Sequence, residues 1–280
     1  MSDENQYYQL PESTDSNIRR MSIFLWVIGI FLIATVVLVF FNAQRIAQHI
    51  PFAAEEKFIK PYEKLIQKYY KGESKPEINA YLQNLADNLA KSMELPSEYN
   101  IKVHYVDNDM INAFATLGGH IFIFKGLIEN LDDENSLAMV IAHEIAHIKH
   151  RDPVSAMGRG VALQLLYGFT TNDFSSSDIG NLSNQFGTTF FSRKQELKAD
   201  QEAVHTLNKH YGHISGYDSF FLKVSEQYDD QETEALKWFS THPLHNDRIQ
   251  QLKKIALEKK FSAEKPINIP SQILDKVYEN

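Results

Sequence analysis

The sequence predicts a mainly helical α+β protein: one helical domain with a small β-sheet, preceded by a single membrane-spanning helix. Three features lead there. Residues 21–41 form an uncharged apolar run, short alternating stretches lie between residues 99 and 124, and helical apolar spacing dominates the rest. The chain has 280 residues, 43% hydrophobic and 23% charged, which suits one sizeable core and not a disordered polymer. A net charge of -8 lacks the basic stripe that a nucleic-acid partner requires, so none is expected. With no cysteine, disulfides, thiolate metal sites and cysteine nucleophiles are excluded.

From Met21 to Phe41 there is no charge, and Ser22 and Thr35 are the only hydroxyls. At about 1.5 Å per residue the run reaches roughly 30 Å, the thickness of a hydrocarbon core. A buried core helix of that length would show a polar face. A cleaved signal peptide has a shorter apolar region, about 7–15 residues, nearer its start. Residues 1–20 are polar and aperiodic and are expected to be a disordered tail. Residues 21–41 are therefore read as a permanent anchor in a lipid bilayer, with a single folded domain at 42–280. Arg19 and Arg20 abut the anchor more tightly than Arg45 and Lys57 do on its far side. That asymmetry favours an inside N-terminus and a domain outside the cytoplasm, as in a bacterial inner-membrane protein facing the periplasm.

Beyond the anchor, residues 53–70 carry Phe58, Tyr62, Leu65 and Ile66 at helical spacing, and residues 77–93 repeat the pattern with Ile78, Leu82, Leu85 and Leu89. Residues 99–106 alternate as a strand. Residues 111–115 and 121–124 read as two more strands around a Gly118-Gly119 turn. Asp132 or Asp133 can cap a helix running to about His150. A Ser/Asp/Asn/Gly-rich loop is expected at 172–184, and helices near 192–207, 217–227 and 247–259.

Residues 143–147 read His-Glu-Ile-Ala-His. On a helix, positions four apart share a face, so both imidazoles can reach one metal, while Glu144 is placed to touch a water beside it. Val140, Ile141, Ala142, Ile145 and Ala146 make the helix apolar nearly all round, and buried histidines need partners. One zinc per chain is the expected cofactor, which calls for a third protein ligand. A metzincin would place Gly and His where His150 and Pro153 stand. A thermolysin-like glutamate about twenty residues on is also missing, because no carboxylate lies between Asp152 and Asp173. Asp173 and Asp178 fall in the polar loop. Glu196 is the first acid inside a helical pattern, and Asp200 follows on the same face, as an outer carboxylate holding a ligating histidine would. On spacing alone an ordinary surface pair near Arg193, Lys194 and Lys198 stays open.

Four blocks between Val106 and Arg248 resemble the gluzincins that include the CAAX prenyl endopeptidases, HtpX and the BepA-like periplasmic proteases. They are VDNDMINAFATLGGHIFIFKGL at 106–127, the HExxH itself, Ser192-Arg193 through Glu196 to Ala199-Asp200, and Ser240-Thr241-His242-Pro243 with Arg248. Leu117 stands where the family often has proline. The resemblance implies a zincin-like domain with His143, His147 and Glu196 as metal ligands, Asp200 behind them and Glu144 as base. It further implies that His242 and Arg248 serve the transition state and substrate. Asn112, Ala113, Phe114, Ala115, Gly118 and Gly119 would then form the strand and turn that bind an extended peptide. The expected activity is endopeptidase cleavage of misfolded or membrane-proximal proteins. The alternatives are a latent or non-catalytic zinc protein acting as chaperone or adaptor, and a true prenyl-protein protease. The last is disfavoured because the apolar stretch at 161–169 is too short for a second span. His242 has a second reading, as an inhibitory ligand that fills the open metal position. His150 is read as a helix C-terminal histidine favoured by the dipole, and His205 as a surface or packing residue.

Overall fold

The computed structural model describes residues 12–62, 75–171, 191–227, 242–243 and 246–279. Leu65, Ile66, the polar loop at 172–184, Ser240 and Thr241 lie outside the described residues. One compact unit contains the chain up to Ala43 and again from Gly158. The other contains Gln44–Met157 and the described residues from 191 onward.

α1 (Glu12–Ala47) is a 36-residue helix whose residues up to Ala43 fall in the first unit. It is the one helix among the described residues long and apolar enough to cross a bilayer, over Ser16–Ala47. Its large side chains are bare, Trp26 at 73% and Phe41 at 79% exposure, a surface suited to lipid and costly in water. The polar tail was expected to be disordered up to residue 20. It is helical from Glu12, because nothing between Glu12 and Ile28 breaks a helix already nucleated by the apolar run.

The second unit is helical around a three-stranded sheet. α2 (Phe52–Ile59) follows Pro51, and α3 (Pro76–Ser92) starts with proline in its first turn and buries Ile78, Leu82, Leu85 and Leu89. Strands β1 (Lys102–Val106), β2 (Ala113–Ala115) and β3 (His120–Phe124) pair in the order β1-β3-β2, with β1 parallel and β2 antiparallel to β3. Alternation divides the core between the two sheet faces. Ile121, Ile123, Ala113 and Ala115 join the large cluster with α3, and Phe114, Phe122 and Phe124 form a second with Ile59, Leu117 and Val154. Gly118 and Gly119 turn the chain from β2 into β3 at φ 68° and 77°, and a Cβ on Gly119 would overlap the carbonyl of Asn100. Leu117, where the family's proline was expected, is buried in the second cluster.

A short α4 (Lys125–Glu129) leads to α5 (Glu134–Lys149), capped by Asp133, whose carboxylate accepts from the Ser136 N–H at 2.7 Å. Every residue of α5 from Asn135 to Ile148 is buried, as its all-round apolar surface requires. α6 (Asp152–Thr171) follows directly. α7 (Arg193–Tyr211) opens on a capping box between Ser192 and Gln195 and closes on the left-handed Gly212. It packs on α5 along Ala199, Ala203, Val204 and Leu207. α8 (Ser219–Gln227), α9 (Asn246–Lys259) and α10 (Ser271–Tyr278) complete the unit.

Candidate metal centre

The most extensive element contact in the unit, α5 on α7, brings the two halves of the site together. His143 and His147 project from one face of α5, and Glu196 rises from the first turn of α7. His242, just ahead of α9, is the fourth member. All four are buried, and their ligand atoms lie within 4.8 Å of one another. The individual spacings are tighter. His143 Nε2 lies 3.0 Å from His147 Nε2 and 3.4 Å from Glu196 Oε2. His147 Nε2 lies 3.5 Å from Glu196 Oε1, and His242 Nδ1 lies 3.3 Å from His143 Nε2 and 3.1 Å from Glu196 Oε1. Ligands on a tetrahedron with bonds of about 2.0–2.1 Å stand roughly 3.3 Å apart. The group could therefore hold a metal ion.

Both α5 histidines have a carboxylate behind them. His143 Nδ1 faces Asp200 Oδ1 at 2.9 Å. His147 Nδ1 donates to Asp152 Oδ2 at 2.8 Å. Both contacts turn Nε2 toward the shared point, the usual way an outer carboxylate fixes an imidazole. Burial disfavours a proton on either histidine, but Asp200 and Glu196 outweigh it at His143 and raise its pKa. At His147, Asp152 and Glu196 outweigh burial and raise it to about 10. Glu196 is held well below the carboxylate range despite burial, because His242, His143 and His147 all favour its charge. His242 is lowered, burial prevailing over Glu196 and Glu144, so it offers a neutral lone pair.

Glu144 is fully buried, and neither of its carboxylate oxygens has a hydrogen-bond partner among the described residues. Its nearest charged or titratable neighbour is His242 Nε2, 3.4 Å from Oε1. Buried carboxylates are rarely left so.

Arg248 was expected to meet substrate. It is instead fully buried: Nε and NH2 donate to the two oxygens of Asp200 at 2.7 and 2.8 Å, and NH1 lies 2.9 Å from Glu196 Oε2. A guanidinium so occupied holds the site together from behind. Gly118 and Gly119 also differ from the expectation. They pack beneath α2, where the Gly118 N–H donates to Glu55 Oε2 at 3.0 Å, and Glu55 pairs with the buried Arg151. β2 lies at the sheet edge. The Thr116–His120 and Asn112–Phe124 hydrogen bonds set a register in which Phe114 faces β3 with its main-chain polar groups, and Ala113 and Ala115 turn theirs away. Both alanines and Asn112 are buried. His150 caps α5 as expected, but burial and Lys198 push its pKa to about 4, so it is neutral and gains nothing from the dipole. His205 packs edge-on against Phe261.

Sequence reading missed two neighbours of the centre. Asp152 looked only like the edge of an acid-free stretch. Its place just past the end of the HExxH helix was the available signal. Phe191 stacks on the His147 ring at 4.0 Å between centroids and shields it, and nothing in its spacing marks it.

A buried HExxH helix and a glutamate delivered to the same point by the next core helix make the layout of a gluzincin metallopeptidase. The chain belongs to peptidase family M48, whose profile matches residues 76–256. It is 28% identical over 207 residues to the beta-barrel assembly-enhancing protease of Yersinia pestis, covering 66% of this chain and 40% of that protein. It is 30% identical over 171 residues to the mitochondrial metalloendopeptidase OMA1 of Danio rerio, covering 56% and 35%. The Escherichia coli K12 beta-barrel assembly-enhancing protease is 28% identical over 196 residues, covering 62% and 38%. The chain thus matches well under half the length of these relatives.

Proposed function

We propose that this chain is a membrane-anchored zinc endopeptidase that cuts extended segments of misfolded or membrane-proximal proteins. One observation carries the reading: four buried donor atoms converge at the spacing of a tetrahedral ion. Imidazole nitrogens and one carboxylate suit zinc. His143, His147 and Glu196 would hold it, and His242 Nδ1 stands where a fourth ligand would. When bound, the metal supplies Lewis acidity that acidifies water and polarises a carbonyl. Glu144 takes the proton of the attacking water and returns it to the leaving amine. Asp200 and Asp152 orient the two histidines, and Arg248 is a positioning residue that holds Asp200 and Glu196.

The edge of β2 is the proposed substrate platform. The outward N–H and C=O groups of Ala113 and Ala115 can pair with an extended peptide, giving affinity with little sequence preference. That edge is buried and His242 sits against the metal ligands, which together support a closed resting state that substrate or a trigger must open. The bacterial relatives are named beta-barrel assembly-enhancing proteases, which supports a protein-cleaving role linked to the assembly of other proteins.

Metal removal tests the reading. Chelation is expected to abolish cleavage of an unfolded protein such as casein, and one equivalent of zinc to restore it. The affinity must also follow pH with a definite sign. In the metal-free protein His147 keeps its proton up to about pH 10, and His143 is raised as well, so binding displaces protons. One displaced proton strengthens binding about tenfold per pH unit, hence about 100-fold from pH 6 to pH 8, and His143 steepens the rise. A pH-independent affinity would show that binding displaces no proton from the histidines.

The bilayer facing rests on the arginine pair at 19–20. A topology reporter fused after Asn280 is expected to read extracytoplasmic. A cytoplasmic reading overturns the orientation and leaves the metal centre untouched.

A further inference from the structure

Asp152 is itself held, and by an unexpected residue. Its Oδ2 takes the His147 Nδ1 proton, and its Oδ1 accepts two amides at once: Gln195 Nε2 at 2.7 Å and Gln44 Nε2 at 2.9 Å. The two glutamines also bind each other, Gln195 Nε2 donating to Gln44 Oε1 at 2.9 Å. Gln44 Nε2 donates in addition to the carbonyl of His150, the C-cap of the HExxH helix, at 2.8 Å. Gln195 is fixed in turn, since its Oε1 accepts from the Ser192 N–H and hydroxyl in the capping box. Gln44 stands in the last turn of α1, the helix that carries the candidate membrane span.

We propose that Gln44 is a positioning residue for the metal centre, holding Asp152 in the orientation that makes His147 present Nε2 to the metal. A carboxylate with one oxygen on an imidazole can still pivot about its Cβ–Cγ bond. Two amides on the other oxygen remove that freedom, and the bond to the His150 carbonyl ties the arrangement to the end of α5. Gln44, at the end of α1, thereby becomes a determinant of metal affinity: loss of the two hydrogen bonds it donates releases Asp152 and loosens His147. This inference rests on the proposed metal site, and goes beyond it by making Gln44 part of that site's support.

The test is metal affinity, measured by chelator competition on the full-length chain in detergent. Outer partners of metal-bound histidines are worth about 10–100-fold in affinity. Gln44→Met keeps length and helix propensity, removes every hydrogen bond, and leaves Gln195 in place, so about a tenfold loss is expected. Gln44→Glu removes the donor and sets a second carboxylate beside Asp152, and is expected to lose more. In an Asp152→Asn background Gln44→Met is expected to add little, because its route to the metal is already cut. The proposal is overturned if Gln44→Met stays within about twofold of wild type, or if its effect adds in full to Asp152→Asn. It is equally overturned if the variant lowers only the melting temperature of the metal-free protein. Should Gln44→Met not fold, Gln44→Glu carries the same comparison. A wild-type chain that binds no metal defeats the proposed function itself, a different outcome from wild-type binding unaffected by Gln44.

Discussion

Glu144→Gln is expected to keep one metal per chain and to lose peptide hydrolysis by about 100-fold or more, the scale on which a positioned general base acts. The substitution changes almost nothing except basicity. Glutamine has the same shape, and Glu144 has no hydrogen bond to another described residue that the amide would break. The ligands and their carboxylates are untouched, so metal content should hold. A neutral amide is also easier to bury than a carboxylate, so the melting temperature should stay or rise. What disappears is a carboxylate base with no hydrogen-bond partner among the described residues. Retained turnover would sink the assignment, and lost metal would mean that Glu144 is structural. A chaperone or adaptor would keep its activity in this variant, so the comparison also tests the reading that the family assignment disfavours. The same assay separates two roles for His242, which lies 3.4 Å from Glu144 and 3.3 Å from His143 Nε2. If His242 closes the centre, His242→Ala raises basal cleavage. If it steadies the transition state, the change abolishes cleavage.

Much of this site was legible in the sequence because its parts are periodic. Two histidines at i and i+4 on an apolar helix, and Glu196 and Asp200 at the same spacing on another, are local patterns that a helix converts into geometry. Caps and turns were legible for the same reason, as Asp133 and the paired glycines illustrate. What stayed hidden depends on long-range packing. Gln44 and Asp152 are 108 residues apart, and neither has a local partner pattern to announce the contact. Arg248 was visible as a charge at the right distance from His242, but a charge in sequence suggests solvent or substrate. Only the fold reveals two buried carboxylates in front of it.

That burial sets the second large expectation. Arg248→Met should lower the stability of the metal-free protein by about 3–5 kcal/mol in urea unfolding, the usual cost of breaking a buried ion pair from one side. Asp200 would lose both guanidinium bonds and keep only His143 Nδ1, while Glu196 would lose its 2.9 Å neighbour. Methionine refills much of the volume and keeps the contact with Phe221, over whose ring Arg248 now lies at 5.2 Å. The loss therefore reports charge and hydrogen bonding more than cavity. Lysine should rescue little, since a point charge cannot grip both oxygens of Asp200. Removing both partners, with Asp200→Asn beside Arg248→Met, should cost less than the two single losses together, because no charge at position 200 is then stranded. A residue that met substrate instead would raise KM in Arg248→Met and leave unfolding where it was. With Arg248 fully buried behind Asp200 and Glu196, the expectation is the reverse: stability falls first, and metal affinity follows because both carboxylates it holds touch His143.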